Sequence, residues 1–284
     1  MSRLIVFDFD GTLTDAEEEG KPFRGGYLED IATLCGVTLD DVEAIARKAE
    51  AAVAENPQAH GWVYGGRIVA PATVDPYLRI MPVARMVFDH YGRFLDGDDR
   101  DRLLDGILYK YNYPKTRTVF RDGARDVLVG TPVDTTYVVT NSHTIPVQNK
   151  IKQLSAMGDD PDALLWLVER VHGRAKKYVL DHDFEGVDAE LRVPNLSRPI
   201  LLRRRQYFEA LTRLLEVRGA DWSELTVIGD IFELDLALPL SLGATVGLVA
   251  NAHTPQYEMD YLEAHERGRV LHSLPEAGDW LASF

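Results

Sequence analysis

A chain of 284 residues, 45% of them hydrophobic, can bury one large core or two modest ones. Its formal charge of −14 opposes generic binding to nucleic acid or anionic membranes, and the one basic cluster, Arg203-Arg204-Arg205, is too short to reverse that. A single cysteine, Cys35, excludes an internal disulfide framework; it sits in an apolar helical pattern as a small core residue, which suits a reducing cytosol.

In chain order, Met1-Ser2-Arg3 carries no signal-cleavage pattern, and no apolar run approaches the ~18 residues of a membrane span, so a cytoplasmic protein is expected. Leu4-Ile5-Val6-Phe7 is β-prone and stops at Asp8-Phe9-Asp10-Gly11-Thr12-Leu13-Thr14. Residues two apart on a strand share a face, so Asp8 and Asp10 point the same way. Two carboxylates ending a buried strand are costly without a compensating cation, so a metal, with a phosphate group for it to bind, is the natural candidate. Gly11 permits the tight turn and close backbone approach that an anion needs.

From Asp15 to about Tyr113 the pattern is mostly helical, over 27–34, 39–54, 82–91 and 98–111. It is interrupted at 61–69 by a stretch that reads as a turn or small hairpin. Such an interval is too long for a structureless loop and predicts a second, helical domain. Apolar runs at 4–7, 136–140, 177–180, 225–228 and 245–249 predict buried parallel strands. Helical patterns at 124–129, 147–157, 161–171, 204–217 and 235–242 lie between them. This alternation predicts an α/β fold, a doubly wound parallel sheet with its ligand site at the carboxyl ends of the strands. The expected division is a core domain of 1–14 and 115–284 and an inserted, mainly helical domain of 15–114.

Asp8 to Thr14 resembles, at every position, the DxDGT[LV][TV] opening motif of the haloacid dehalogenase (HAD) superfamily. The resemblance implies a Rossmann-like core with a helical cap inserted after the first motif. It also implies Asp8 as the nucleophile that accepts a phosphoryl group and Asp10 as the general acid/base. Phe120-Arg121-Asp122-Gly123-Ala124 resembles the return of the chain from such a cap, with Asp122 where a proline is common. Tyr137-Val138-Val139-Thr140-Asn141-Ser142 resembles the second motif, in which the Thr140 hydroxyl and neighbouring backbone at Asn141 and Gly11 would hold phosphoryl oxygens. Gly229-Asp230 through Asp235 resembles the GDxxxxD metal motif. Asp8, the Asp10 carbonyl and Asp230 would hold Mg²⁺, with Asp235 ligating directly or through a water.

The third motif departs from the pattern. The family places a lysine, commonly as Lys-Pro, roughly 25 to 30 residues before the fourth motif, where it offsets the charges of nucleophile and phosphate. No lysine follows Lys177, so the cation is expected to be an arginine or to come from elsewhere in the chain. Arg203 and Arg204 have the better spacing and Arg198-Pro199 the dipeptide form, and the choice among them stays open. Lys150, Lys152, Lys176 and Lys177 read as surface residues, and Glu233 as a solvated helix residue. Nothing singles out Lys21, Lys110 or Lys115 for Schiff-base chemistry.

The resemblance implies a Mg²⁺-dependent phosphohydrolase working through aspartyl phosphate on a small phosphorylated metabolite. No nucleic-acid or membrane partner is expected. A phosphomutase and a non-catalytic phospho-ligand-binding protein are the alternatives. Dehalogenases of this fold lack a carboxylate at the place of Asp10, which disfavours that chemistry. The 61–67 segment, two aromatics and an arginine among glycines, is the favoured specificity loop.

Overall fold

Strand β1 (Leu4–Phe7) is buried on both faces, because helices cover each side of its sheet. The computed structural model describes residues 3–111 and 117–284; the expected domain end at 114 and Lys115 lie outside the described residues. The described residues form two compact units. Of the described residues, the first comprises 3–15, 63–70 and 120–284, and the second 16–62, 71–111 and 117–119.

The second unit is built from α1 (Ala16–Cys35), α2 (Leu39–Glu55), α3 (Pro76–Tyr91) and α4 (Gly97–Tyr111). Their apolar faces meet in one core that includes Phe23, Tyr27, Val42, Phe88 and Leu104. Thr38 caps α2 through the Asp41 N–H, and Asp75 caps α3 with Pro76 at its start. Between α2 and α3 lies the expected hairpin, β2 (Gly61–Tyr64) and β3 (Arg67–Pro71).

In the first unit the chain returns at Phe120, which bridges Thr14. It continues through α5 (Ala124–Val129), β4 (Thr136–Val139), α6 (Thr144–Ser155), the short α7 (Leu165–Val168) and β5 (Val171–His172). A small antiparallel pair, β6 (Glu190–Leu191) and β7 (Ile200–Leu201), precedes α8 (Arg205–Arg218). Then come β8 (Leu225–Gly229), a π-helical turn over Phe232–Leu236, α9 (Ala237–Ser241), β9 (Thr245–Val249), α10 (Gln256–Glu263), β10 (Gly268–Leu271) and α11 (Leu274–Ala282).

The main sheet is parallel, in the order β10-β9-β8-β1-β4-β5. Alternate residues feed opposite faces. Leu4, Val6, Val139 and Val227 pack with Tyr207, Leu211 and Leu262 on one side. Ile5, Phe7, Val138 and Ile228 pack with Val127, Ile151 and Leu274 on the other. This is the doubly wound architecture expected from the alternation of patterns, with β1 central and its acidic end at the carboxyl edge.

Two expected elements are corrected. Residues 161–171 are not one helix: only α7 is helical, and the end of the run pairs with β4, the Val138 N–H donating to the Arg170 carbonyl at 3.0 Å. Residues 177–180 are not a strand. The Lys177 N–H donates to the Asn141 side chain at 2.7 Å and the Val179 N–H closes a turn onto the Lys176 carbonyl. The apolar run Tyr178-Val179-Leu180 follows a sheet strand, β5, rather than being one.

Candidate active site

Asp8 follows β1, and its N–H still donates to the Ile228 carbonyl of β8 at 2.8 Å. That bond fixes the carboxylate beside Asp230, which follows β8. Thr12 stands between them, its hydroxyl 3.3 Å from Asp8 Oδ2 and 3.1 Å from Asp230 Oδ1. The turn is held by Arg121, whose Nε donates to the Gly11 carbonyl at 2.8 Å. Gly11 has φ of 83°, and a Cβ there would collide with the Asp230 carboxylate. Its expected use as a free anion-binding N–H is corrected: that N–H donates to Thr14 Oγ1 at 3.1 Å. The glycine serves instead to let the loop and the second acid approach.

The cation of the site is Lys177. Its Nζ lies 2.6 Å from Asp8 Oδ1 and 2.7 Å from Asp235 Oδ1, and the side chain is 1% exposed. The surface assignment of Lys177 is therefore corrected, and so is the arginine assignment. Arg198 makes a two-pronged pair with Glu233, both contacts 2.7 Å. Arg203 donates to the His182 carbonyl at 2.8 Å. Arg204 is buried, but its guanidinium serves backbone carbonyls of Leu201, Val69 and Lys177. Burial pulls its pKa down to about 10. Arg204 thus fastens the segment that presents Lys177 and the hairpin residue Val69, instead of meeting a substrate. Glu233, read as solvated, is 1% exposed and also accepts from the Tyr257 hydroxyl at 2.6 Å.

Lys177 escaped the spacing search because it lies 58 positions before Asp235, with β6, β7 and their loops between it and α8. The local signal was β5, whose carboxyl end leads directly to it. From Gly173 to Lys177 the chain is stitched to the second motif. The Arg174 N–H donates to the Ser142 carbonyl at 2.8 Å and the Ala175 N–H to the Thr140 carbonyl at 2.9 Å. Arg174 and Lys176 have φ of 58° and 47°, left-handed values that are costly for residues with a Cβ. Asn141 gives its side-chain oxygen to the Lys177 N–H, so that atom positions the lysine rather than a substrate. Thr140 is buried, and its Oγ1 accepts from the Ser142 N–H at 3.1 Å, leaving its own O–H to donate.

Burial pushes the Asp8 carboxyl up to about 7, against the downward pull of Lys177 and with a further push from Asp235. Burial alone would lower Lys177, but the charges of Asp235 and Asp8 outweigh it and hold the ammonium above its ordinary value. Asp8, Asp230 and Asp235 are buried and each offers an oxygen within 4.8 Å of the others. One ammonium against three clustered carboxylates leaves an excess of negative charge, and an all-oxygen donor set suits a hard divalent cation such as Mg²⁺. Asp235 also accepts from the Ile231 N–H at 3.1 Å, which fixes its orientation.

Asp10 is placed differently from Asp8. Its Oδ2 accepts from the Ser142 hydroxyl at 2.6 Å and its Oδ1 meets Lys150 Nζ at 2.9 Å. Lys150, read as a surface residue, is a member of the site. Near Lys177, the edge of the Tyr64 ring packs on Tyr178 with centroids 5.2 Å apart.

The arginine corrections carry an expected result. Arg198→Ala leaves the Glu233 carboxylate buried without its partner and lowers stability by about 3 kcal/mol. Arg203→Ala, which loses one bond of a half-buried side chain whose Nε is already buried without a partner, costs no more than about 1 kcal/mol. Urea unfolding of the two variants checks this ordering.

No protein-family model matches the chain, and no curated protein matches it. Solved structures do. A predicted phosphoglycolate phosphatase from Haemophilus somnus 129PT is similar at a TM-score of 0.50 and 11% identity, over 98% of this chain and 97% of that one. A haloacid dehalogenase-like family hydrolase from Xanthomonas campestris is similar at 0.48 and 14%, over 99% and 91%. The L-2-haloacid dehalogenase PA0810 is similar at 0.41 and 13%, over 99% and 100%. The chain has the fold of the HAD-like hydrolases. No helix among the described residues is long and apolar enough to cross a membrane.

Proposed function

We propose that the chain is a Mg²⁺-dependent phosphoric monoester hydrolase that works through a phosphoryl group carried on Asp8. The observation that supports this most is the division of labour between two carboxylates. Asp8 is buried against Lys177 and the acids of the fourth motif, while Asp10, two residues on, is held by Ser142 and Lys150. A leaving alkoxide needs a proton and a leaving halide does not, so a poised second carboxyl favours phosphoryl transfer over dehalogenation.

In this mechanism an oxygen of Asp8 attacks phosphorus in line. The bond from phosphorus to the ester oxygen breaks, and its electron pair leaves on that oxygen, which takes the proton of Asp10. Asp10, now a carboxylate, removes a proton from water as the water attacks the aspartyl phosphate. Inorganic phosphate departs and Asp8 is restored. Lys177 offsets charge on Asp8 throughout, and the Thr140 O–H donates to a phosphoryl oxygen. Asp8, Asp230, Asp235 and the Asp10 carbonyl are the groups that would hold Mg²⁺, which when bound supplies the positive charge that keeps Asp8 ionised and neutralises the phosphoryl oxygens. The substrate is a small phosphorylated metabolite, and the helical unit of 16–62 and 71–119 is the cap of the enzyme.

The test is turnover of phosphate monoesters by the purified chain. Activity is expected to vanish in EDTA and return with Mg²⁺. Asp230→Ala is expected to need at least about tenfold more Mg²⁺ or to be inactive, as loss of one ligand from a cluster of hard donors requires. Full activity in metal-free buffer would contradict the reading.

A further inference from the structure

Lys150 lies on α6, eight residues beyond Ser142, and nothing in the motif pattern assigns it a task. Its ammonium is 2.9 Å from Asp10 Oδ1 and 5.7 Å from the centroid of the Phe9 ring. The opposite oxygen of Asp10 takes the Ser142 hydroxyl at 2.6 Å. Asp10 sits on a turn, beyond the end of β1, with its side chain 35% exposed. A short side chain so placed has several rotamers open to it. Two donors, one on each oxygen and from two different elements, leave it one.

We infer that Lys150 is a positioning residue: together with Ser142 it holds the Asp10 carboxyl in the orientation from which it reaches the leaving oxygen. The inference rests on the proposed phosphoryl transfer. General acid catalysis demands heavy-atom approach within about 3.2 Å, so a carboxyl free to rotate spends most of its time out of reach. Lys150 carries no proton to substrate itself, and Asp8 already has its own ammonium in Lys177. The two lysines thus serve different acids: Lys177 the nucleophile and Lys150 the proton donor.

The role predicts a dependence on the leaving group. A p-nitrophenolate departs without a proton, whereas a simple alkoxide does not. In the full-length chain with Mg²⁺, Lys150→Met is expected to lower kcat/KM for an alkyl phosphate by about 30-fold and for p-nitrophenyl phosphate by no more than about threefold. The comparison is made on kcat/KM, which reports phosphoryl transfer alone; kcat also carries the hydrolysis of the aspartyl phosphate, a step both esters share and in which Asp10 is the base. Lys150→Arg, which keeps a cationic donor, is expected to recover most of the loss on the alkyl ester. Asp10→Asn serves as the reference for full loss of the acid and is expected to show the same leaving-group bias, only larger. An equal loss on both esters, a loss confined to KM, or an arginine variant no better than methionine would overturn the positioning role while leaving the phosphatase reading intact. A wild-type chain that hydrolyses neither ester would overturn both.

Discussion

Asp8→Asn is expected to lower phosphatase turnover by at least about four orders of magnitude, because an amide cannot accept the phosphoryl group and binding terms do not replace a missing covalent acceptor. Stability is expected to change little. Asp8 is buried with its carboxyl already pushed up to about 7, so a neutral isostere removes a charge the site holds at some cost. Lys177 retains Asp235 at 2.7 Å as its partner. Rates measured beside a thermal melt separate loss of chemistry from loss of fold. Labelling with a beryllium fluoride mimic should place the ligand on Asp8 in the wild type and nowhere in the variant. Turnover near the wild-type rate would sink the mechanism.

Lys177→Met is expected to be the next most damaging change, and to fail in two ways at once. Two buried carboxylates, Asp8 and Asp235, lose the ammonium they share. Transition-state stabilisation is expected to fall by about 3–5 kcal/mol, and folding stability in EDTA by about 3 kcal/mol. The two losses are expected to respond differently to metal. Removing the ammonium makes the acid cluster more negative, so Mg²⁺ binds the folded variant more tightly and raises its melting temperature more than it raises that of the wild type. Activity is not restored, because the charge that followed Asp8 is gone. A Lys177→Met enzyme with wild-type kcat/KM would return the third-motif role to an arginine. Since Arg204 supports the Lys177 carbonyl and Asn141 its N–H, weaker versions of the same phenotype are expected at those two residues.

The Asp8–Thr14 turn and the acids Asp230 and Asp235 were legible because each is a local pattern. Leu4–Phe7 with Asp8, and Leu225–Gly229 with Asp230, are apolar strands ended by acids that the strands deliver to one edge of the sheet; Asp10 lies on the turn beyond β1, and its partners, not strand alternation, decide where it faces. The doubly wound sheet was legible for a related reason, since both-face burial writes nearly continuous apolar runs into parallel strands. The short strands were not. Val171–His172 offers two residues, too few for any period, and Gly268–Leu271 is an edge strand that carries Gly268 and Arg269. Missing the first of these hid the element from which Lys177 is delivered.

What the sequence determined by itself is the set of acids, the four strands β1, β4, β8 and β9, and the helical character of the stretch after Asp15, all fixed by neighbours a few residues away. What only the tertiary structure decided is which cations meet those acids. Lys177, Lys150 and Arg198 lie far along the chain from the groups they serve, and Arg204 reaches Val69 as well as the nearby Leu201. Pairing of charges depends on distance through space in a poorly screened interior, and the intervening loops, 181–204 above all, contribute length without contributing direction. Folding therefore sent Arg198 to a buried glutamate, Arg204 to backbone carbonyls, Lys177 to Asp8 and Lys150 to Asp10.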